Sequence, residues 1–189
     1  MHSVSPVVQK KIEMRRRILA DLKSVAPETA AAKSLKLQSR LKSQLQNEDG
    51  LWAGFQSMPH TEPQIRWTEV SEKIQWCFPV IDDQKLKFKK LVQAFQKSPL
   101  GFNEPTDGED IQVSQLKGVV IPGLAFDPKG HRLGRGRGFY DQTLENFKGT
   151  MIGVCYQQSL VDEIPTEDHD LKCQFIITDE KSVAVTANK

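Results

Sequence analysis

Cysteine is scarce in this chain. Cys77, Cys155 and Cys173 are its only thiols, and no two form a CxxC pair. That spacing excludes a zinc ribbon or a redox dithiol. The apolar and aromatic neighbours of Cys77 and Cys155 read instead as small buried thiols in a reducing compartment. An excess of one charge is missing too: 26 Lys and Arg stand against 24 Asp and Glu, a formal net charge of +2. A protein that binds nucleic acid by neutralising phosphates would carry a stronger basic bias. No apolar run reaches the length that spans a bilayer, and no apolar core of a secretory signal marks the N-terminus. We therefore expect a cytoplasmic, monomeric protein with no nucleic-acid or membrane partner. Repeats, low-complexity segments and linkers are also missing, so residues 1–189 are expected to form a single domain, with 1–6 as a loose tail. That length is sufficient to bury a core without staples.

What is present is periodicity that changes along the chain. Val8, Ile12, Ile18, Leu19, Leu22 and Val25 recur at helical spacing over 7–25, with Lys10, Lys11, Arg15, Arg16 and Arg17 largely elsewhere on the wheel. Pro27 suits the first turn of a second helix, and Glu28 its positive end. Leu35, Leu41 and Leu45 are expected to form its buried face, and Asn47-Glu48-Asp49-Gly50 stops it. Beyond Gly50 the pattern predicts strands over 51–58, 74–80 and 85–88, a short helix or turn over 91–96, and a loop rich in Pro, Gly and acid over 98–110. Residues 116–121 are the nearly continuous apolar run of a buried parallel strand. A helix over 139–147 and strands over 151–156 and 175–178 follow. Such alternation predicts an α/β fold: a three-layer α/β/α domain with a mainly parallel, Rossmann-like sheet.

The densest chemical signal lies between residues 118 and 141. Glycines stand at 118, 123, 130, 134, 136 and 138, and arginines at 132, 135 and 137. Glycine lets the backbone approach a ligand closely. Amides at a helix start attract anions, and arginine grips phosphate oxygens with charge-assisted hydrogen bonds. Strand, Gly/Arg loop and helix together read as a polyphosphate cradle over 132–141, beyond the carboxyl end of a strand. No Gly-Lys-Ser/Thr follows, so it is not a Walker loop. Glycines at alternate positions 134, 136 and 138 do not fit a dinucleotide fingerprint. An RGG-like tail would lack the preceding strand and the following helix start.

The run Pro-Gly-x-x-Phe-Asp-x-x-Gly-x-Arg-Leu-Gly-Arg-Gly-x-Gly-aromatic-Tyr-Asp resembles the signature of the 5-formyltetrahydrofolate cyclo-ligases. The resemblance extends from about residue 11 to about residue 180, and is weak over 82–98. It implies conversion of 5-formyltetrahydrofolate, possibly polyglutamylated, and ATP to 5,10-methenyltetrahydrofolate, ADP and phosphate, with Mg2+. It implies ATP contacts at Lys11, Arg15, Arg132, Leu133, Gly134, Arg135, Gly136, Arg137, Gly138, Phe139 and Tyr140. Folate contacts are implied at Gln56, Glu62, Arg135, Gly136, Arg137, Gly138 and Phe139, with Arg135 and Arg137 acting in catalysis. Asp141 and Asp170 are implied as metal ligands. Gly101-Phe-Asn-Glu-Pro105 resembles the family's Gly-Ile-x-Glu-Pro turn. Arg137 stands where many members carry Lys or another residue; relative to Lys it keeps the charge and changes its geometry.

Read without the family, several of these residues are bland. Glu62 is a solvated residue before Pro63, Asp170 caps a turn, and Lys11 with Arg15 forms a wet basic face. Trp52, Trp67 and Trp76 belong to the core or its rim. His131 has no acidic partner nearby in sequence and is not assigned as a base. Two other functions stay open: a basic nucleic-acid-binding module, and a family-like ATP-binding protein with an altered substrate.

Overall fold

The computed structural model describes residues 5–90, 94–167 and 170–186. Helices α1 (Pro6–Lys23) and α2 (Pro27–Gln44) lead into β1 (Gly50–Ala53), the one-turn α3 (Trp67–Val70), β2 (Ile74–Asp82) and β3 (Lys85–Lys90). Short strands β4 (Phe95–Lys97), β5 (Asn103–Pro105) and β6 (Asp110–Ile111) come next. Then follow β7 (Gly118–Pro122), β8 (Ala125–Phe126), β9 (Arg132–Leu133) and α4 (Phe139–Thr143). The chain ends with β10 (Thr150–Val154), β11 (Phe175–Ile177) and β12 (Ser182–Ala184). Eight strands form one sheet in the order β12-β11-β10-β7-β1-β2-β3-β6. Its centre, from β11 to β2, is parallel. Antiparallel β12, β3 and β6 close the edges. The expected mainly parallel α/β sheet is what forms.

The strands alternate between two cores, as the two-residue period of a pleated sheet requires. Trp52, Val120, Ile152, Val154 and Ile177 pack with Leu37, Leu41 and Leu45 on the α2 face. Their chain neighbours Ala53, Val119, Ile121, Met151 and Ile176 pack on the opposite face with Leu144, just past α4. Each fully buried leucine of α2 stabilises by about 2 kcal/mol, which is what docks an otherwise polar helix. A third cluster joins Ile18 and Leu22 of α1 to Leu124, Ala125 and Leu133 around the β8–β9 hairpin, with Tyr156 and Ile164.

Several expectations need correction. Leu35 is 57% exposed. The buried stripe of α2 is Ser34, Leu37, Gln38 and Leu41, extended by Leu45, and Leu35 lies off that helical row. On α1, Ile12 is exposed and Lys11 buried, because only the second half of that helix meets the apolar hairpin. Ser5 accepts the Val8 amide and Pro6 fills the first turn of α1, so these two residues are not part of the loose tail expected over 1–6; residues 1–4 lie outside the described ones. Strand β1 stops at Ala53 rather than near residue 58; the chain then leaves the sheet to wall a cleft. Of the helix or turn expected over 91–96, residues 91–93 lie outside the described ones and Phe95 begins a strand. The loop expected over 98–110 contains β5, which pairs with β4, and the start of β6. Helix α4 ends at Thr143, not 147. Leu144 turns fully into the core, and the chain must return by Thr150 to pair beside Gly118.

Candidate functional site

A cleft of about 740 Å³ opens beyond the carboxyl ends of β1, β2 and β7, where α/β sheets present their ligand sites. Its lining comes from stretches that are distant in the chain. The floor is Phe55 and Gln56 after β1, Pro79 of β2 and Pro122 with Gly123 at the end of β7. The first half of α1 supplies Lys11 and Arg15, the 58–62 turn supplies Met58 and Glu62, and the β4–β5 connection supplies Leu100 and Phe102. Residues 134–141 form the longest continuous edge.

Between β7 and this edge lies the β8–β9 hairpin, which the strand–loop–helix expectation missed. Its organiser is Asp127, fully buried. Its carboxylate accepts the Lys129 amide at 3.0 Å, the His131 amide at 3.1 Å and the Ile164 amide at 3.0 Å. It also meets His131 Nδ1 at 2.9 Å. His131 therefore does have an acidic partner, four residues back across the turn, contrary to the sequence expectation. The pair is structural: it closes the hairpin that aims Arg132 and the following loop. Beyond β9 the backbone needs positive φ at Gly136 (94°) and Gly138 (70°), which only glycine adopts freely.

Every charged residue that the family resemblance implied for the site lines the cleft. Arg132 donates to Asp141 Oδ2 at 2.9 Å, and its guanidinium lies 5.3 Å from the centre of the Tyr140 ring, a cation–π distance. Its Nε is buried with no hydrogen-bond partner among the described residues. Arg135 donates from Nε to Glu62 Oε1 at 3.0 Å and from its terminal nitrogen to the Thr61 hydroxyl. Glu62 Oε2 accepts the Met58 amide at 2.9 Å. Glu62 is thus not the solvated residue that its sequence context suggests; it is 5% exposed. Burial raises its pKa above the usual carboxylate range despite the Arg135 charge. Arg15 donates to the Gly134 carbonyl at 2.8 Å; burial lowers its pKa, against the attraction of Asp170. Burial, aided by the Glu62 charge, raises the Tyr140 phenol, keeping it a proton donor.

Lys11 is buried and meets Asp170 at 2.6 Å and Glu167 at 3.0 Å, so it is no wet basic face. Asp170 Oδ2 also accepts the Glu167 amide at 2.7 Å. Arg137 lines the cleft exposed, in no ion pair among the described residues. Leu133 is the one site residue whose side chain the structure removes: it is fully buried in the α1 cluster, because β9 alternates and turns Arg132 outward. Thr61, Glu167 and the apolar Phe55, Met58, Leu100 and Phe102 were missed. Only Glu167, three residues from Asp170, had a visible cue. The thiols are inert as expected: burial pushes Cys77 and Cys173 up to about 12.

The sequence profile of the 5-formyltetrahydrofolate cyclo-ligase family matches residues 7–179. The 5-formyltetrahydrofolate cyclo-ligase of Mycolicibacterium smegmatis is 42% identical over 67 residues, covering 34% of this chain and 34% of that relative. The mouse 5-formyltetrahydrofolate cyclo-ligase is 21% identical over 187 residues, covering 88% of this chain and 92% of its own. The solution structure of Aquifex aeolicus 5,10-methenyltetrahydrofolate synthetase superposes with a TM-score of 0.81 at 22% identity, over 95% of this chain and 94% of that one, and so shares the fold. With the profile spanning nearly the whole domain and the glycine–arginine edge in place on its cleft, the chain belongs to the 5-formyltetrahydrofolate cyclo-ligase family.

Proposed function

We propose that this protein closes 5-formyltetrahydrofolate to 5,10-methenyltetrahydrofolate at the expense of ATP, releasing ADP and phosphate. The observation that carries the reading is the convergence, in one cleft, of Arg132, Arg135, Arg137, Arg15 and Lys11 with the buried acceptor Glu62. An N-formyl group is a poor electrophile. Transfer of the γ-phosphoryl group to its oxygen, with ADP leaving, turns that oxygen into a leaving group. N10 of the folate then attacks the formyl carbon through the resulting iminium phosphate. The C–O bond breaks, phosphate departs and the N10 proton is lost.

In this scheme the protein mainly positions groups and offsets negative charge. Arg137 is free to swing onto phosphate oxygens, and Arg135 and the 134–138 backbone meet them from the same edge. Arg15 is a half-buried cation that donates to the neutral Gly134 carbonyl, so its charge is on offer to an entering anion. Tyr140, kept protonated, is a hydrogen-bond donor on the same wall. Glu62 would accept from the amide and amino edge of the pterin. Phe55, Met58, Leu100 and Phe102 offer apolar surface beside it, sheltering the reactive iminium from water.

The side chains also fit a magnesium ion of the kind that takes one or two carboxylates and completes its shell with phosphate oxygens and water. Among the described residues no three His, Cys, Asp or Glu side chains converge, so an all-protein cage is not what is on offer. Asp141, 21% exposed at the cleft wall, would hold it by sharing with Arg132, as Asp170 would by sharing with Lys11. When bound, the ion would offset charge on the transferred phosphoryl group.

The test is an absorbance assay of purified protein with 5-formyltetrahydrofolate, ATP and magnesium, following the near-ultraviolet band of the methenyl product. A rise that needs every component is expected. No rise with ATP still bound would favour an altered substrate. No ATP binding would remove the polyphosphate reading altogether.

A further inference from the structure

The Arg135–Glu62 pair is unusual in joining the two halves of the proposed site. Arg135 sits on the polyphosphate edge, and Glu62 is the acceptor offered to the pterin. Yet these groups hold each other, at 3.0 Å. Thr61 completes the grip, its hydroxyl accepting from the terminal nitrogen of Arg135. Thr61 is itself buried, and the turn that carries it is closed by the Met58 amide on Glu62 Oε2. The arginine is held from two sides by adjacent residues, with its side chain 31% exposed and the glutamate's 6% exposed.

From this geometry we infer that Thr61, Glu62 and Arg135 form a latch that couples binding of the nucleotide to binding of the folate, with Thr61 as its positioning residue. The inference rests on the cyclo-ligase reading above. A phosphate that draws Arg135 out strands a buried carboxylate, which is costly. A folate whose amide and amino groups donate to Glu62 strands the arginine instead. Either ligand alone bears the whole cost of opening the pair. Together they bear it once, because each satisfies the group that the other has released. The coupling is therefore positive and, by linkage, equal in both directions. Burial already favours the neutral form of Glu62, so the carboxylate is poorly suited to standing unpaired. Removing the Thr61 hydroxyl loosens the arginine, lowers the opening cost and shrinks the coupling.

The experiment is calorimetric titration of the full chain with 5-formyltetrahydrofolate and with a non-hydrolysable ATP analogue, each alone and in the presence of the other. In the parent protein each ligand is expected to tighten the other on the order of tenfold. Thr61→Val should raise the affinity for each single ligand and reduce the coupling several-fold, while Thr61→Ser, which keeps the hydroxyl, retains it. Independent binding of both ligands to the parent would overturn the latch, leaving Arg135 as a fixed bridge. So would a Thr61→Val protein in which both affinities fall together and the coupling is unchanged, the mark of a merely structural threonine. If neither ligand binds the parent, the cyclo-ligase reading fails first and the latch falls with it.

Discussion

The α2 face of the sheet and the cleft at its end are built on opposite principles. On the α2 face Trp52, Trp67, Trp76 and Phe78 pack with leucines in an apolar cluster. The Trp67 ring lies 4.6 Å from Trp76 and 5.3 Å from Phe55, and its indole N–H donates to the Phe55 carbonyl at 2.8 Å. At that cluster's edge Gln38 accepts the Arg66 amide and donates to Glu69, while within it the indole nitrogens of Trp52 and Trp76 are buried with no hydrogen-bond partner among the described residues. In the cleft, cations and carboxylates are crowded together, and one arginine nitrogen is buried without a partner. The contrast separates two tasks. Apolar burial supplies stability, whereas the cleft keeps charges close to one another, at some cost in stability, where a ligand can reach them.

That division can be broken, or sharpened, by substitution. The largest effect should come from Trp52→Ala. Emptying the space of a buried indole costs about 3–5 kcal/mol, read as a lower urea midpoint, while turnover per folded molecule stays near that of the parent. A loss of turnover with stability intact would show that the two regions are not separate.

Next comes Arg137→Ala. This exposed arginine has no ion pair among the described residues to lose, so the melting temperature should hold. Removing one charge-stabilising donor should lower kcat/KM by about 100-fold. Unchanged kinetics would take Arg137 out of the phosphate site.

Glu62→Gln probes the seam between the regions through pH. The carboxyl of Glu62 is raised in the folded state above its ordinary 4.5, so the folded form holds its proton longer than the unfolded one. Its contribution to stability is present below 4.5 and is lost as pH rises through the raised value. The glutamine variant should therefore gain on the parent across that window and level off above it. Parallel urea midpoints from acid to neutral pH would mean that Arg135 fully offsets the burial of the carboxylate. The smallest effect is expected from Lys129→Ala, whose partner Glu163 is an exposed rim residue. It should leave both melting and turnover within error, and a clear change in either would give the rim a role in the site.

How legible all this was depends on whether the residues concerned are neighbours in sequence. The glycine–arginine edge could be read because its cations and its permissive backbone positions are contiguous. The parallel strands could be read because apolar runs such as 118–121 must be buried on both faces. Glu62 and Lys11 were different. Taken singly they looked solvated, and only the family likeness raised them. Their burial rests on Arg135, 73 residues away for Glu62, and on Glu167 and Asp170, 156 and 159 residues away for Lys11. Thr61 gave no local signal at all. Leu133 was misjudged because a motif read as a string does not show that a hairpin strand turns alternate residues to opposite sides.

Local chemistry, then, already dictated a layered α/β sheet, a phosphate-suited edge over 132–141 and inert buried thiols, since each follows from short-range periodicity, backbone permissiveness or composition. Folding decided the rest: that Asp127 closes a hairpin before that edge, that Lys11 of α1 is paired with Glu167 and Asp170, and that Glu62 is held by Arg135. The last two are pairings between charges far apart in the chain. Their sign can be read from residue types, but their distances and burial are set only when the sheet brings the segments together.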